Sequence, residues 1–207
     1  MLGDELTEAG KTILSQFTLF NKAVIFYETQ ISPVISTAID THVSTWLEEN
    51  DWKGETDVSD TLEDLWTCPA NWLENDEDEP FARFKLELRD EEGTDSYEIA
   101  DLFRVGQSEF GFRFHPEHSW FGGKSQWNQT VKGMGDLIGS ITENGWINEG
   151  KGILFRPIPM SADVLVEAWE NEDWEIALSP ITYVLDSIRT DIRMFDRMIL
   201  KANPKAR

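Results

Sequence analysis

The hydrophobic period of this chain changes along its length, from a helical repeat to the alternation of a strand. Between residues 5 and 31, apolar residues recur at spacings of three, four and seven, which predicts a long first helix with a wide apolar stripe. Between residues 81 and 89, apolar and polar residues alternate, which predicts a half-buried strand. Because the two periods occur in one chain, its fold must combine helices with a sheet.

The other elements are predicted from the same two periods and from capping residues. Ser32 is a suitable N-cap for a second helix that has Pro33 in its first turn and runs to about Glu49. The segments after it predict, in chain order, a short helix at 58–66, strands at 97–103 and 109–114, a helix at 125–144, a strand at 153–155, a helix at 161–170 and a last helix that begins at Asp173 or Pro180 and reaches Leu200. This order predicts an α+β fold, with an N-terminal helical hairpin and C-terminal helices packed on a small, mainly antiparallel sheet of about four strands.

All 207 residues are predicted to form a single α+β domain. A sub-boundary near residues 75–80 would separate a mostly helical, acidic part, residues 1–74, from the sheet and helices of residues 81–207. The first part is short and its apolar stripe would stay exposed if it stood alone, which favours one domain. With 40% hydrophobic and 12% aromatic residues, the chain can bury a core although its net charge is −21.

The negative charge is concentrated in two segments. From Asp40 to Pro80 there are fourteen Asp and Glu against one base, Lys53, and from Asp163 to Glu175 there are six acids and no base. From Arg189 to Arg207, in contrast, six bases stand against two acids. A surface of this sign disfavours direct binding to nucleic acid or to an anionic bilayer, and it predicts a cationic partner.

Cysteine usage and apolar runs predict a cytoplasmic protein. The single Cys68 has no partner for an internal disulfide, and the N-terminal stretch is acidic where a signal peptide would be basic and then apolar. The longest apolar run is the four residues from Ala23 to Phe26, far short of the roughly 20 needed to span a bilayer.

Candidate chemical motifs are incomplete. His115 and His118 form a pair, but zinc needs three or four ligands. The acidic stretch at 74–80 lacks the glycine and the closing glutamate of a calcium loop, and Gly122 to Ser125 lacks the glycine spacing of a phosphate loop. Acids beside Cys68 are expected to raise its pKa and lower its nucleophilicity. We therefore predict no catalytic residue, no metal, no cofactor and no enzymatic activity.

Two alternative functions are kept open. Asp78, followed by Glu87 and Arg89 on a predicted strand, resembles the carboxylate pattern of metal-dependent nucleases, although Arg89 stands where such sites have Lys. The last helix carries Arg189, Arg193 and Arg197 at intervals of four, which could instead dock a regulatory or adaptor subunit onto a larger assembly.

The main prediction is a binding surface that combines carboxylates with aromatic anchors. Tryptophan is enriched at binding hot spots, and a ring surrounded by carboxylates suits a basic protein surface. The residues predicted to contact the partner are Glu48, Glu49, Asp51, Trp52, Trp72, Glu74, Asp76, Glu77 and Asp78.

The most strongly cationic surfaces in a cell are the nucleic-acid grooves of other proteins. In its overall acidity the chain is similar to inhibitors that occupy such grooves: DNA-mimicking anti-restriction and anti-CRISPR proteins, and immunity proteins that block nuclease toxins. This likeness is one of composition and covers no alignable stretch. It implies inhibition of a basic nuclease or nucleic-acid-binding protein, and it leaves the oligomeric state open.

Overall fold

A computed structural model describes residues 4–73, 79–89, 97–106 and 108–203. The fold is α+β, as predicted, with one antiparallel sheet of six strands where about four were expected. The strands are β1 (Trp52–Glu55), β2 (Trp66–Pro69), β3 (Ala82–Leu88), β4 (Phe110–Pro116), β5 (Ile147–Gly150) and β6 (Ile153–Pro157). Their order across the sheet is β1-β2-β3-β4-β6-β5.

The helices lie before, between and after these strands. They are α1 (Asp4–Ser15), α2 (Phe17–Phe26), α3 (Ser32–Asn50), α4 (Glu98–Leu102), α5 (Lys124–Val131), α6 (Gly135–Glu143), α7 (Leu165–Asn171) and α8 (Glu175–Ala202). A π-helical turn, Tyr27–Ile31, connects α2 to α3. No helix among the described residues combines the length and the apolar character that crossing a bilayer requires.

The N-terminal helices follow one another instead of forming the predicted hairpin. Phe26, Tyr27, Ile31 and Ser32 all have right-handed helical backbone angles, so the chain continues from α2 into α3 without turning back. Pro33 occupies the first turn of α3, where its missing N–H costs nothing. The result is one helical rod from α2 into α3, and α1 precedes it across a break at Gln16, whose φ of −120° is not helical; we call α1 and α2 the arm.

The central strand pair confirms the period-two prediction. β3 and β4 pair over seven residues each, from Ala82 opposite Pro116 to Leu88 opposite Phe110. Phe84 and Phe114 lie opposite each other and are fully buried against α8, whereas their neighbours on the outer face are charged. The predicted strand at 153–155 corresponds to β6, which pairs with the other edge of β4.

Three sequence predictions are wrong in detail. The segment from Tyr97 to Phe103 contains helix α4 instead of a strand, and residues 58–66 contain only a short 3-10 turn at Leu62–Asp64. The predicted helix at 125–144 is divided into α5 and α6, because residues 132–134 leave the α-helical ladder. Glycine at position 133 lowers helix propensity there, which accounts for the break.

Tryptophans from three parts of the chain hydrogen-bond to α8. Each donates its indole N–H to an aspartate, and the aspartates follow at intervals of five residues along the helix. The pairs are Trp46 with Asp186 (3.2 Å), Trp146 with Asp191 (2.8 Å) and Trp72 with Asp196 (2.8 Å). Buried indole nitrogens need such acceptors, so these three acids serve the core.

Candidate interaction site

Five carboxylates lie around a cleft of about 460 Å³ at the loop that connects β1 to β2. Together we call them the acidic loop: Glu55, Asp57, Asp60, Glu63 and Asp64. Trp66, Arg83 and Lys85 line the same cleft from the outer face of the sheet. Five acids against two bases leave the cleft with a net negative charge.

Hydrogen bonds within the acidic loop fix its backbone. One carboxylate oxygen of Glu55 accepts the N–H groups of Thr56 and Asp57, both at 3.0 Å. Asp57 in turn accepts the N–H of Ser59 at 2.9 Å. Hydrogen bonds from Ser59 lower the pKa of Asp57, so this carboxylate stays ionised.

A second set of contacts fastens the loop to the body. Glu98, on α4, accepts the Thr61 hydroxyl at 2.6 Å and the Leu62 N–H at 2.8 Å. The side chains of Leu62 and Leu65 are buried in the core on either side of the acids. The loop therefore presents its carboxylates on a fixed support, which reduces the entropy lost when a partner binds.

Three more carboxylates stand where helix α3 ends. Glu48, Glu49 and Asp51 are exposed at the helix C-terminus, and the last turn holds no basic residue. Acids at this end oppose the helix dipole, at about 0.3–1 kcal/mol each. Asp51 also has a left-handed backbone, with φ of 55°. Since this arrangement does not stabilise the helix, a role outside folding is favoured.

The acids of both regions are not held in ion pairs with described residues. Within the described part of the chain, none of them forms a salt bridge; the set comprises Glu48, Glu49, Asp51, Glu55, Asp57, Asp60, Glu63 and Asp64. Five other described acids are in salt bridges, as Glu109 is with Arg89 at 2.9 Å. A partner's Lys or Arg could therefore bind the unpaired acids without breaking an existing ion pair.

A groove of about 760 Å³ between α3 and α8 brings the two acidic segments of the sequence together. Glu49 and Glu175 both line it, and Thr41, Trp46 and Leu178 contribute to its floor and walls. The sequence placed these two glutamates more than a hundred residues apart. The groove thus offers apolar surface with acids beside it.

The predicted aromatic anchors are in the core, and this part of the sequence prediction is wrong. Trp72 is 1% exposed and stacks with Phe84, with ring centroids 5.5 Å apart. Trp52 is 7% exposed and packs edge to face on Trp46. Both rings fill the space between the sheet and the helices, so a partner could reach neither without unfolding the body.

The structure describes only some of the acids predicted to bind a partner. Glu48, Glu49 and Asp51 are exposed as described above. Glu74, Asp76, Glu77 and Asp78 lie outside the described residues. For these four acids, binding stays a prediction from the sequence.

Glu87, the central residue of the hydrolase alternative, is engaged in an ion-pair network on the outer face of the sheet. Its carboxylate accepts from Arg113 at 2.5 Å and lies 2.9 Å from the His115 ring nitrogen, and Arg113 also donates to Glu149 at 2.8 Å. Burial acts to raise the pKa of Glu87, but interactions with His115 and Arg113 outweigh it and lower the pKa to about 2. A carboxylate held in this way lends no support to a metal-ligand role.

We expect Glu87→Gln to lower the free energy of unfolding at neutral pH by about 2 kcal/mol, because a charge-assisted hydrogen bond to Arg113 is weakened. The pKa of Glu87 falls from an ordinary 4.5 to about 2 on folding, so its contribution is complete above the ordinary value and is lost as the pH falls towards 2. The difference between wild type and variant, measured by urea unfolding, should therefore shrink at about pH 3.

The matched control for this prediction is Glu48→Gln, which removes an exposed carboxylate that has no salt bridge to a described residue. That variant should be more stable than the wild type by at most about 1 kcal/mol at neutral pH, because Glu48 opposes the dipole of α3. Equal stability of the Glu87 and Glu48 variants at neutral pH would contradict the proposed strength of the network.

The histidines and the cysteine do not assemble into a reactive centre. Among the described residues, no three His, Cys, Asp or Glu side chains are grouped as a metal site would require. Burial raises the pKa of Cys68 to about 12, while the charge of Arg83 opposes the rise. The direction agrees with the sequence prediction, but the main cause is burial rather than neighbouring acids.

The basic row of α8 is exposed at Arg189, Arg193 and Arg197. Arg189 is held against its own chain, by Asp186 at 3.2 Å and by the side-chain oxygen of Asn50. Docking of another subunit on this row stays a prediction.

Sequence reasoning counted the acidic loop in the charge of its region but did not select its residues. The available signal was their position between Trp52 and Trp66, which begin two neighbouring strands. Comparisons of the chain with protein-family models, curated proteins and solved structures find no match. Function is therefore inferred from charge, burial and packing alone.

Proposed function

We propose that this protein is a non-enzymatic inhibitor that binds a basic, nucleic-acid-acting protein and occupies its nucleic-acid groove with carboxylates. The observation that carries the proposal is the set of eight exposed or half-exposed acids between Glu48 and Asp64 that form no salt bridge with described residues. The groove of a nuclease or DNA-binding protein holds Lys and Arg at spacings that match phosphates. Carboxylates on a fixed surface can take the place of those phosphates.

Two physical features support this function over a merely solvated surface. The acidic loop is held by Glu98 and by its own hydrogen bonds, so its carboxylates are positioned before binding. The acids at the end of α3 oppose the helix dipole and gain nothing locally. A net charge of −21 would also speed encounter with a cationic surface.

The test uses the DNA-binding fraction of a host lysate, passed over immobilised full-length protein at low salt. Proteins that are retained and then released by duplex DNA are purified, and their DNA binding or nuclease activity is measured with and without the chain. We expect loss of that activity when the chain is added, and recovery as salt is raised, because the contacts are between exposed charges.

A charge-matched pair of variants localises the site. Asp60→Asn/Glu63→Gln/Asp64→Asn removes three acids of the acidic loop and spares Glu55 and Asp57, which hold the backbone. Glu167→Gln/Glu170→Gln/Glu172→Gln removes the same charge on and just after α7. We expect roughly tenfold weaker inhibition from the loop variant, at several tenths of a kcal/mol per exposed pair, and little change from the control.

Equal inhibition by both variants would show that net charge, and not the loop, is responsible. An affinity that does not change between low and moderate salt would overturn charge mimicry altogether. Absence of any inhibited DNA-binding protein, together with turnover of nucleic acid in the presence of Mg²⁺, would favour the hydrolase alternative.

A further inference from the structure

The arm leaves a strongly apolar helix in contact with solvent. No residue of α2 is buried, and its large side chains point in several directions, with Phe17 at 58% and Leu19 at 63% exposure. Ile13, Phe20 and Ile25 are also exposed. A helix with so wide an apolar surface is normally covered on its apolar sides, and an isolated helix of this length is marginal in water.

One stripe of the arm has the spacing of a helix-pairing seam. Within α2, Phe17, Phe20 and Val24 lie at intervals of three and four, the pattern of coiled-coil a and d positions. Ile13, before the break at Gln16, and Tyr27 and Ile31, in the π-helical turn, continue the same spacing in the sequence, and we call these six residues the apolar seam. A seam of this kind packs against another helix rather than against a flat surface.

The body already covers the lower end of the apolar seam. Tyr27 and Ile31 pack against the core, and the Tyr27 ring lies 4.7 Å from that of Tyr97. Above them, Phe17 and Phe20 continue the same stripe without any covering element. The seam is therefore built to be covered along its whole length, and the chain itself covers only part of it.

Charge identifies what can cover the rest. From Ala9 to Tyr27 the only charged residues are Lys11 and Lys22, so this stretch is weakly positive in a chain of net charge −21. Along this stretch two arms can approach each other without bringing carboxylates together; the acids of α1, Asp4, Glu5 and Glu8, all precede it. An anionic bilayer, in contrast, would repel the acidic body.

The orientation of the pair follows from the same charges. Parallel arms would place the two acidic bodies side by side. Antiparallel arms place them at opposite ends of a helix pair about 35 Å long, several times the screening length of about 8 Å. A groove of about 460 Å³ beside the arm's base, lined by Phe26, Val105, Val166 and Trp169, would then receive the tip of the other arm.

We infer that the protein is a two-fold symmetric dimer in which the arms of two copies pair antiparallel through the apolar seam. Each half-exposed Phe would hide roughly 100 Å². Four exposed apolar side chains on or beside the seam, Ile13, Leu14, Phe17 and Phe20, and four in the groove, Phe26, Val105, Val166 and Trp169, therefore approach the roughly 800 Å² per partner of a standard interface. The inference does not depend on the proposed function.

Sedimentation equilibrium of the full chain at physiological salt tests the dimer. We expect the wild type to sediment as a dimer at micromolar concentration and Phe17→Glu to sediment as a monomer. The matched control is Leu19→Glu, which adds the same charge to α2 away from the seam and should remain dimeric. Because no residue of α2 is buried, neither change should unfold the body, as far-UV circular dichroism can verify.

Spin labels at Lys11→Cys test the orientation, since the native Cys68 is buried and stays unlabelled. Antiparallel arms should separate the two labels by roughly 30 Å, whereas parallel arms would bring them within roughly 10 Å. The shorter distance would overturn the antiparallel arrangement. A wild-type chain that is monomeric would overturn the dimer, and flotation of that monomer with phosphatidylcholine vesicles would make a bilayer the covering surface instead.

Discussion

Replacing Asp191 by alanine is expected to lower the free energy of unfolding by about 3 kcal/mol, because it leaves buried donors without an acceptor. Asp191 is 4% exposed and accepts from the indole of Trp146 at 2.8 Å and from the amide of Asn144 at 2.6 Å. The indole is itself buried, so water cannot replace the lost oxygen. Urea unfolding followed by far-UV circular dichroism measures the change.

The same helix offers a matched control in Asp186→Ala. Asp186 also accepts an indole N–H, from Trp46 at 3.2 Å, but its side chain is 48% exposed. Trp46 is as buried as Trp146, but water can enter the half-exposed place of the removed Asp186 carboxylate and accept from the indole, so we expect a loss below about 1 kcal/mol. Equal losses from the two variants would contradict the importance of burial. Neither change touches the acidic loop, so binding of a cationic partner should persist in both folded proteins.

The strongest sequence periods predicted their elements well. β3 and β4 each have at least five alternating residues, and a one-residue shift would have moved Phe84 or Phe114 to the charged face. α8 likewise carries a long apolar stripe, which predicted the helix to Leu200, although Pro180 inside it left the predicted start open between Asp173 and Pro180. In a long segment, one residue that breaks the hydrophobic period does not hide the period of the others.

Short or ambiguous segments were not predicted. β1, β2 and β5 have only four residues each, too few for alternation to be distinguished from chance. In α4, Ile99, Leu102 and Phe103 follow helical spacing, and their interpretation as a strand gave too much weight to residue type. The π-helical turn at Tyr27–Ile31 has no sequence signal comparable to a cap, so a hairpin was expected there.

At the candidate site, the sequence predicted charge but not the role of the tryptophans. The charge of a segment can be counted from its own residues, whereas the burial of a tryptophan ring depends on residues far along the chain. Trp72 finds its acceptor in Asp196, 124 positions later. The interval of five between Asp186, Asp191 and Asp196 on an otherwise amphipathic helix was a possible signal, since it falls outside the spacings that place charges on one solvent face.

The largest loss of stability is expected for Phe195→Ala, at about 3–5 kcal/mol. Phe195 is fully buried at the point where α8 crosses the inner face of the sheet. Its ring centroid lies 5.0 Å from that of Phe84, and 4.9 Å from those of both Phe114 and Trp146. These neighbours come from β3, β4 and the residue that precedes β5, which the rest of the fold holds in place. They cannot collapse into the space, so the lost dispersion contacts and a cavity both contribute.

Tyr183→Ala on the same helix is the matched control, because its side chain is 63% exposed and should change stability by less than about 0.5 kcal/mol. Both variants are compared with the wild type by urea unfolding at a fixed protein concentration, since a dimer's apparent stability depends on it. A loss below about 2 kcal/mol for Phe195→Ala would mean that the sheet and helices repack around the gap. The acidic loop and the end of α3 would then rest on a support less rigid than preorganised binding of a cationic groove requires.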